Sequence, residues 1–209
     1  MRRVVWGRAT SSNVMKVLWG LGELNLPFER IDVGGSFGKT DTPEYRAMNP
    51  TGLVPTLQED TFTLWESNVI LRYLCHAHAA HSLLWPQDPQ ERANIDRWMD
   101  AQQTVLNRPA GLVFWGLVRT PPDKRDKSAI QQGIADAAKA YGMIAAQLAK
   151  HPYIAGPDFT LADIPWGVHV HRWFNMDFER PEIPHLRDWY ERLKERPSYK
   201  QHILSCPIV

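Results

Sequence analysis

A change of pattern near residue 80 constrains this chain more than any other feature. Before it, short apolar runs alternate with stretches of helical periodicity; after it, no run reads as a strand. Arg3 to Trp6 reads as a short buried strand closed by Gly7, and Phe28 to Val33 reads as a second strand. Leu53 to Leu57 and Thr61 to Trp65 flank the turn residues Glu59 and Asp60, the spacing of a tight antiparallel hairpin. Val14, Val17, Leu18, Leu21 and Leu24 recur at helical spacing and predict a helix from about Asn13 to Leu24, capped by Ser12 or Asn13. Thr42-Pro43-Glu44 opens a short helix that Asn49-Pro50 ends. Ser67 opens another, with Val69, Ile70, Tyr73 and Leu74 on its apolar side. The order β-α-β-α-β-β-α describes an α/β layer domain over residues 1–79, with a hairpin at one edge.

Ala79 to Pro89, punctuated by His81, Ser82 and Pro86, reads as a linker to an all-α domain over residues 90–209. Its helices are expected from Glu91 to about Thr120 (with a kink at Pro109), from Asp126 to Lys150, from Leu161 to about Phe174 and from Pro184 to Arg196. A chain of 209 residues is long enough to bury a core in each part without a disulfide or a metal. With 24 Lys and Arg against 23 Asp and Glu, and no long run of one sign, nothing points to a nucleic-acid or membrane partner. The first apolar run is too short for a signal peptide, and no stretch approaches the roughly 18–20 apolar residues of a membrane span, so a cytoplasmic protein is expected. The 2 cysteines, Cys75 and Cys206, show no ligand spacing. His76, His78 and His81 do not gather on one helical face, and no metal site is expected.

Four runs carry chemistry or its scaffold. Thr10-Ser11-Ser12-Asn13 places hydroxyls at the start of the first helix, where they can cap it or, with the helix's positive end, stabilise an anion. Asn49-Pro50-Thr51-Gly52-Leu53-Val54-Pro55-Thr56-Leu57 leads into the hairpin. Trp65-Glu66-Ser67-Asn68 joins the last strand to the third helix; capping selects Ser67 but does not require Glu66. Phe159-Thr160-Leu161-Ala162-Asp163-Ile164 has the spacing of a capping box and a hydrophobic staple, and is read as structural.

In this order and at these separations, the four runs resemble the cytosolic glutathione transferase superfamily, and within it the bacterial theta/nu-like serine/asparagine-type enzymes. The resemblance spans essentially the whole chain. It implies a thioredoxin-like N-terminal domain that holds glutathione as cosubstrate and a helical domain that holds the electrophile. It implies that Ser11, with Asn13 as its rival, faces the glutathione sulfur. A hydroxyl donating to the sulfur and the positive end of the helix both favour the thiolate of a group whose reference pKa is about 8.5. It further implies a cis Val54–Pro55 bond that leaves the Val54 backbone to pair with the cysteinyl part of glutathione, as an added strand would. Many relatives carry Lys or Gln where this chain has Leu53, so one polar contact is absent or supplied elsewhere. Glu66 would pair with the γ-glutamyl ammonium, and Ser67 with the free N–H groups of its helix would take the γ-glutamyl carboxylate. Lys39 is the best local cation for the glycyl carboxylate, although a solvated surface lysine explains it equally well. The omega-like reductases need a Cys at position 11, and the zeta-like isomerases carry a Cys and an Arg-rich helix where this chain has Asn13 and Met15-Lys16-Val17. Relatives that serve as interaction modules tend to lose the glutathione-end residues together, whereas Ser11, Glu66 and Ser67 are all present. A conjugating enzyme is therefore the leading reading.

In this family the second substrate lies against the first long helix of the helical domain. Arg108, Trp115 and Arg119, seven and eleven residues apart on that helix, fall within about 20° of one face at 3.6 residues per turn. Arg8, in the loop before Ser11, adds a further positive charge. Two guanidinium groups around an aromatic ring predict a small anionic electrophile such as a haloacetate. A symmetric homodimer is expected, with the apolar stretch around Tyr73 and the long helix from Glu91 as its surface.

Overall fold

In the computed structural model, which describes residues Met1–Val209, four short strands form one mixed sheet. They are β1 (Arg3–Trp6), β2 (Glu29–Ile31), β3 (Thr56–Glu59) and β4 (Phe62–Trp65), in the spatial order β2-β1-β3-β4. β1 runs parallel to β2 and antiparallel to β3, and β4 is antiparallel to β3. The connection from β1 to β2 is α1 (Ser12–Glu23); α2 (Pro43–Met48) precedes the hairpin and α3 (Ser67–His78) follows it. Val5, Val14, Val17, Leu18, Leu21, Leu57, Ile70 and Leu74 close the space between the sheet, α1 and α3.

The third strand starts at Thr56, later than the expected Leu53–Leu57 run. Val54–Pro55 is a cis bond, and Pro55 has no N–H to give a ladder. The carbonyl of Leu53 instead accepts from Tyr45 Oη at 2.7 Å and Asn49 Nδ2 at 2.9 Å. The regular geometry of a strand is thus replaced by a side-chain-supported turn that leaves Val54 outside the ladder.

The second domain is helical. α4 (Pro89–Ala101), a π-helical turn at Gln102–Leu106, α5 (Asn107–Phe114) and a second π-helical turn at Trp115–Arg119 run on without a break. Asp88 caps α4, accepting from the N–H groups of Gln90 and Glu91 at 2.9 Å. Pro109 lies just after the first π-turn; its ring offers no N–H to the turn before it, and the widened turn accommodates the lost bond. The remaining helices are α6 (Lys127–Leu148), α7 (Asp163–Asn175), α8 (Leu186–Lys194) and α9 (Pro197–Tyr199), which passes into a π-turn at Lys200–Leu204. Asp163 is fully buried and accepts from the N–H of Ile154, the N–H of Thr160 and Trp189 Nε1, each at 3.0 Å.

The large apolar core crosses the domain junction. Met15 and Trp19 of α1 and Leu71 and Cys75 of α3 belong to the same cluster as Trp98, Tyr141, Trp166 and Trp189. The two domains therefore share buried surface, and α1 is covered on two sides. No helix is long and apolar enough to cross a membrane.

Candidate active site

The loop from β1 to α1 turns at Gly7, where an added Cβ would lie 2.4 Å from Val14 Cγ2; only glycine brings the chain this close to α1. Arg8 then hydrogen-bonds through its N–H to the carbonyl of Val33 at 3.1 Å. Ser11 occupies the N-cap position of α1 with extended backbone angles, yet its hydroxyl makes no capping bond. A serine here ordinarily accepts from the second or third N–H of the helix. This one leaves both those groups and its own hydroxyl unspent, and it faces a cavity.

That cavity, of about 210 Å³, lies between the domains. Arg8, Thr10, Ser11 and Ser12 line it from the first; Asn107, Ala110, Gly111, Phe114, Trp115, Arg119, His169 and Arg172 line it from the second. Three guanidinium groups meet there and no carboxylate lines the wall. Arg172 donates to the carbonyl of Thr10 at 2.9 Å and lies 4.1 Å from the centre of the Phe114 ring; Arg119 approaches the same ring at 5.7 Å. Burial, and then the charges of Arg119 and Arg8, push the Arg172 pKa down to about 10. Burial and Arg119 also lower that of Arg8, whose Nε is buried without a partner. His169 Nε2 is buried and unpartnered as well; burial first, then Lys16 and Arg172, hold this imidazole neutral, well below its ordinary value. Clustered cations without a counter-ion, in a partly desolvated cavity, form a site for an anion.

A second set of groups lies at the start of α3. Glu66 holds φ 72° and ψ 108°, and its exposed side chain makes no cap bond. A non-glycine residue in this region costs on the order of 1–3 kcal/mol and persists where the surroundings impose it, as at ligand clamps. Ser67 Oγ donates to Asn13 Oδ1 at 3.5 Å. Asn13 is thereby turned toward α3 and is absent from the cavity wall. Lys39 is exposed on its loop and enters no ion pair; Gly34 and Gly35 in the same loop pack against the Arg8 side chain. No group of three or more His, Cys, Asp or Glu gathers as metal ligands.

Residues 10–77 match the family model for the glutathione S-transferase N-terminal domain, and residues 127–192 match that for the C-terminal domain. The chain is 40% identical over 207 residues to glutathione S-transferase GstB of Escherichia coli strain K12, covering 98% of each chain. It is 28% identical to glutathione S-transferase 3 of Zea mays, over 98% of this chain and 94% of that one. Among solved structures it is similar to the theta class glutathione S-transferase of Xanthomonas axonopodis pv. citri with glutathione bound, at 45% identity, a TM-score of 0.94 and 98% of both chains. The chain belongs to the glutathione S-transferase family. It is an enzyme of that family, with a thioredoxin-like N-terminal domain and a helical C-terminal domain.

Of the residues the sequence singles out in this transferase, the structure brings Ser11, Arg8, Trp115 and Arg119 to one cavity. Arg108 is a correction: it is exposed and takes no part in the wall. The stripe of α5 that faces the cavity is Asn107, Ala110, Gly111 and Phe114, continuing to Trp115. Arg108 stands about 100° around the helix from Asn107. Arg119 lies at the end of the second π-turn, whose wider winding departs from the regular register. Arg172 and His169 were not anticipated. The one available signal was an arginine and two histidines in a helix that is apolar between Asp163 and Asn175 at its ends, since charged residues rarely enter a core unpaired.

Proposed function

We propose that this transferase conjugates the thiolate of glutathione to small anionic electrophiles, with haloacids as the model substrates, in the cavity between its domains. The observation that carries this reading is the trio Arg8, Arg119 and Arg172 facing one cavity beside the uncommitted hydroxyl of Ser11, with no carboxylate in the wall. The first domain, residues 1–79, holds glutathione: Val54, next to Pro55, pairs with its cysteinyl backbone. Glu66 and Ser67 take its γ-glutamyl end, and Lys39 offers a cation to its glycyl carboxylate. Residues 90–209 supply the electrophile side. Ser11 donates to the sulfur, Asn13 being turned toward Ser67, and the positive end of α1 adds to the same effect. The thiol proton leaves to solvent. The sulfur lone pair then forms the S–C bond as the C–halogen bond breaks and halide departs with its electron pair. The guanidinium groups hold the carboxylate of the electrophile and orient its carbon toward the sulfur.

The experiment is a comparison of chloro- or bromoacetate with a neutral haloaromatic, after binding to immobilised glutathione has been established. A higher kcat/KM for the acid supports the reading; no haloacetate turnover refutes it. Phe62, Trp65 and Val69 expose 46%, 37% and 42% of their surface around β4 and α3. This apolar band supports a symmetric homodimer, and a monomer in light scattering at micromolar concentration would count against it. A non-catalytic module is the less favoured reading, because the residues such a module dispenses with are all present.

A further inference from the structure

Lys16 is fully buried in α1. Its one hydrogen bond runs from Nζ to Gln102 Oε1 at 2.7 Å, across the domain junction. The other end of that amide, Gln102 Nε2, is buried without a partner. A lysine ammonium has three donors, and burying it with one acceptor is unfavourable unless something else keeps it. Desolvation lowers its pKa to about 7, opposed by the charge of Glu66. A methionine would fill similar space without that cost.

The surroundings show what the charge faces. Glu66 acts on it from the start of α3, and Lys16 in turn acts on His169 of α7, which lines the cavity with Ser11. Arg172 is the other charge that acts on His169, and Arg8 and Arg119 line the same cavity. Gln102, from the π-turn, is uncharged. α9 and the turn after it bring Tyr199 and His202 to α1, and His202 packs on Gly22 at the opposite end of the helix. Helical side chains lean toward the helix N-terminus, so Lys16 leans toward the end of α1 that carries Ser11. Its ammonium is not among the groups that line the cavity, and its one hydrogen bond goes to Gln102.

We propose that Lys16 is a positioning residue for the reaction: a buried positive charge that stabilises the glutathione thiolate at Ser11 through the protein interior rather than by contact. The inference rests on the reading that this thiolate forms beside Ser11. Interior charges are weakly screened, so the effect reaches beyond hydrogen-bond distance. It is also reciprocal: the thiolate raises the proton affinity of Lys16 as much as Lys16 favours the thiolate.

The test uses the full-length protein and its Lys16→Met variant. Ultraviolet absorbance of the bound thiolate is followed as pH varies, with glutathione affinity for the thiol form and the unfolding temperature as controls. In Lys16→Met the thiolate midpoint should rise by about one pH unit, a ten-fold loss of acidity, with the controls unchanged or the variant more stable. An unchanged midpoint in the folded variant overturns the proposal. A measurement on the wild type alone serves if that variant does not fold: calorimetry near pH 8, above the value of about 7 to which burial lowers Lys16 and below that of a free thiol, about 8.5, in buffers of different ionisation enthalpy. Uptake by Lys16 should then offset release from the thiol, giving well under one proton released per glutathione. Release of a full proton overturns the proposal. Absence of any thiolate band in the wild type refutes the underlying reading at Ser11 instead.

Discussion

Replacing Arg172 by methionine removes a guanidinium from the cavity while keeping much of its packing. A charge-assisted hydrogen bond to a carboxylate contributes about 1.5–3 kcal/mol, which corresponds to roughly a 10- to 100-fold loss in kcat/KM for an anionic substrate. The local cost to the fold should be modest. The bond to the Thr10 carbonyl and the stacking on Phe114 are lost, but so is the repulsion from Arg119 and Arg8 that lowers the Arg172 pKa. The assay compares a haloacetate with a neutral haloaromatic in Arg172→Met, Arg119→Met and Arg108→Ala. The first two should lose about 10- to 100-fold toward the acid. Toward the neutral compound Arg119→Met should lose less than about three-fold, and Arg172→Met, which also frees the Thr10 carbonyl, more than that but well short of its loss on the acid. Arg108→Ala should match the wild type, since that side chain is exposed and outside the wall. Equal losses on both substrates in the first two variants, or a selective loss in Arg108→Ala, would refute the reasoning.

Ser11→Ala should lower turnover ten-fold or more and raise the pH midpoint of the kcat/KM profile, while Asn13→Ala should alter it less; the reverse order would move the sulfur contact to Asn13. Glu66→Ala and Ser67→Ala should raise the KM for glutathione with kcat near wild type, the pattern of contacts made equally in ground and transition states. His171 is buried, its Nδ1 2.9 Å from Tyr190 Oη, and burial followed by Arg172 and Lys194 holds its pKa at about 4. The unfolded chain binds a proton there near pH 6.5 and the folded one does not until about pH 4, so stability should fall by up to about 3 kcal/mol as pH drops through that window. Urea titrations of wild type and His171→Gln at pH 7 and pH 5 check this; equal pH slopes in the two proteins would contradict it.

Much of the first domain was legible because its cues are local. The periodicity of Val14 to Leu24 defines α1, and the turn signal at Asp60 defines the hairpin, without reference to distant residues; the turn itself is Asp60-Thr61, one residue beyond the expected Glu59-Asp60. The start of β3 was not, because Pro55 sits inside an apolar run that otherwise looks like a strand. A fixed helical period found Trp115 and Arg119 but placed Arg108 with them, one residue off the true stripe. A period of 3.6 also takes no account of the two π-turns, which become visible only in the backbone. Arg172 reaches the site through a tertiary contact with Thr10, 162 positions away in sequence. Lys16 was passed over because a lysine in an amphipathic helix normally marks the solvent side. In α1 that side is covered by the second domain.

The bond from Arg172 to the Thr10 carbonyl bears on how such an enzyme can diversify. Trp115 is 63% exposed at the cavity mouth and makes no comparable tie to the loop that carries Ser11. Exchanges there can alter which molecules enter while the sulfur site keeps its shape. An exchange at 172 releases a backbone group immediately before Ser11, so a new preference gained there arrives together with a change in thiol chemistry. Drift in specificity should therefore run through the outer rim of the cavity, and variants at 172 should need a second substitution in the Arg8–Ser12 loop to recover full turnover.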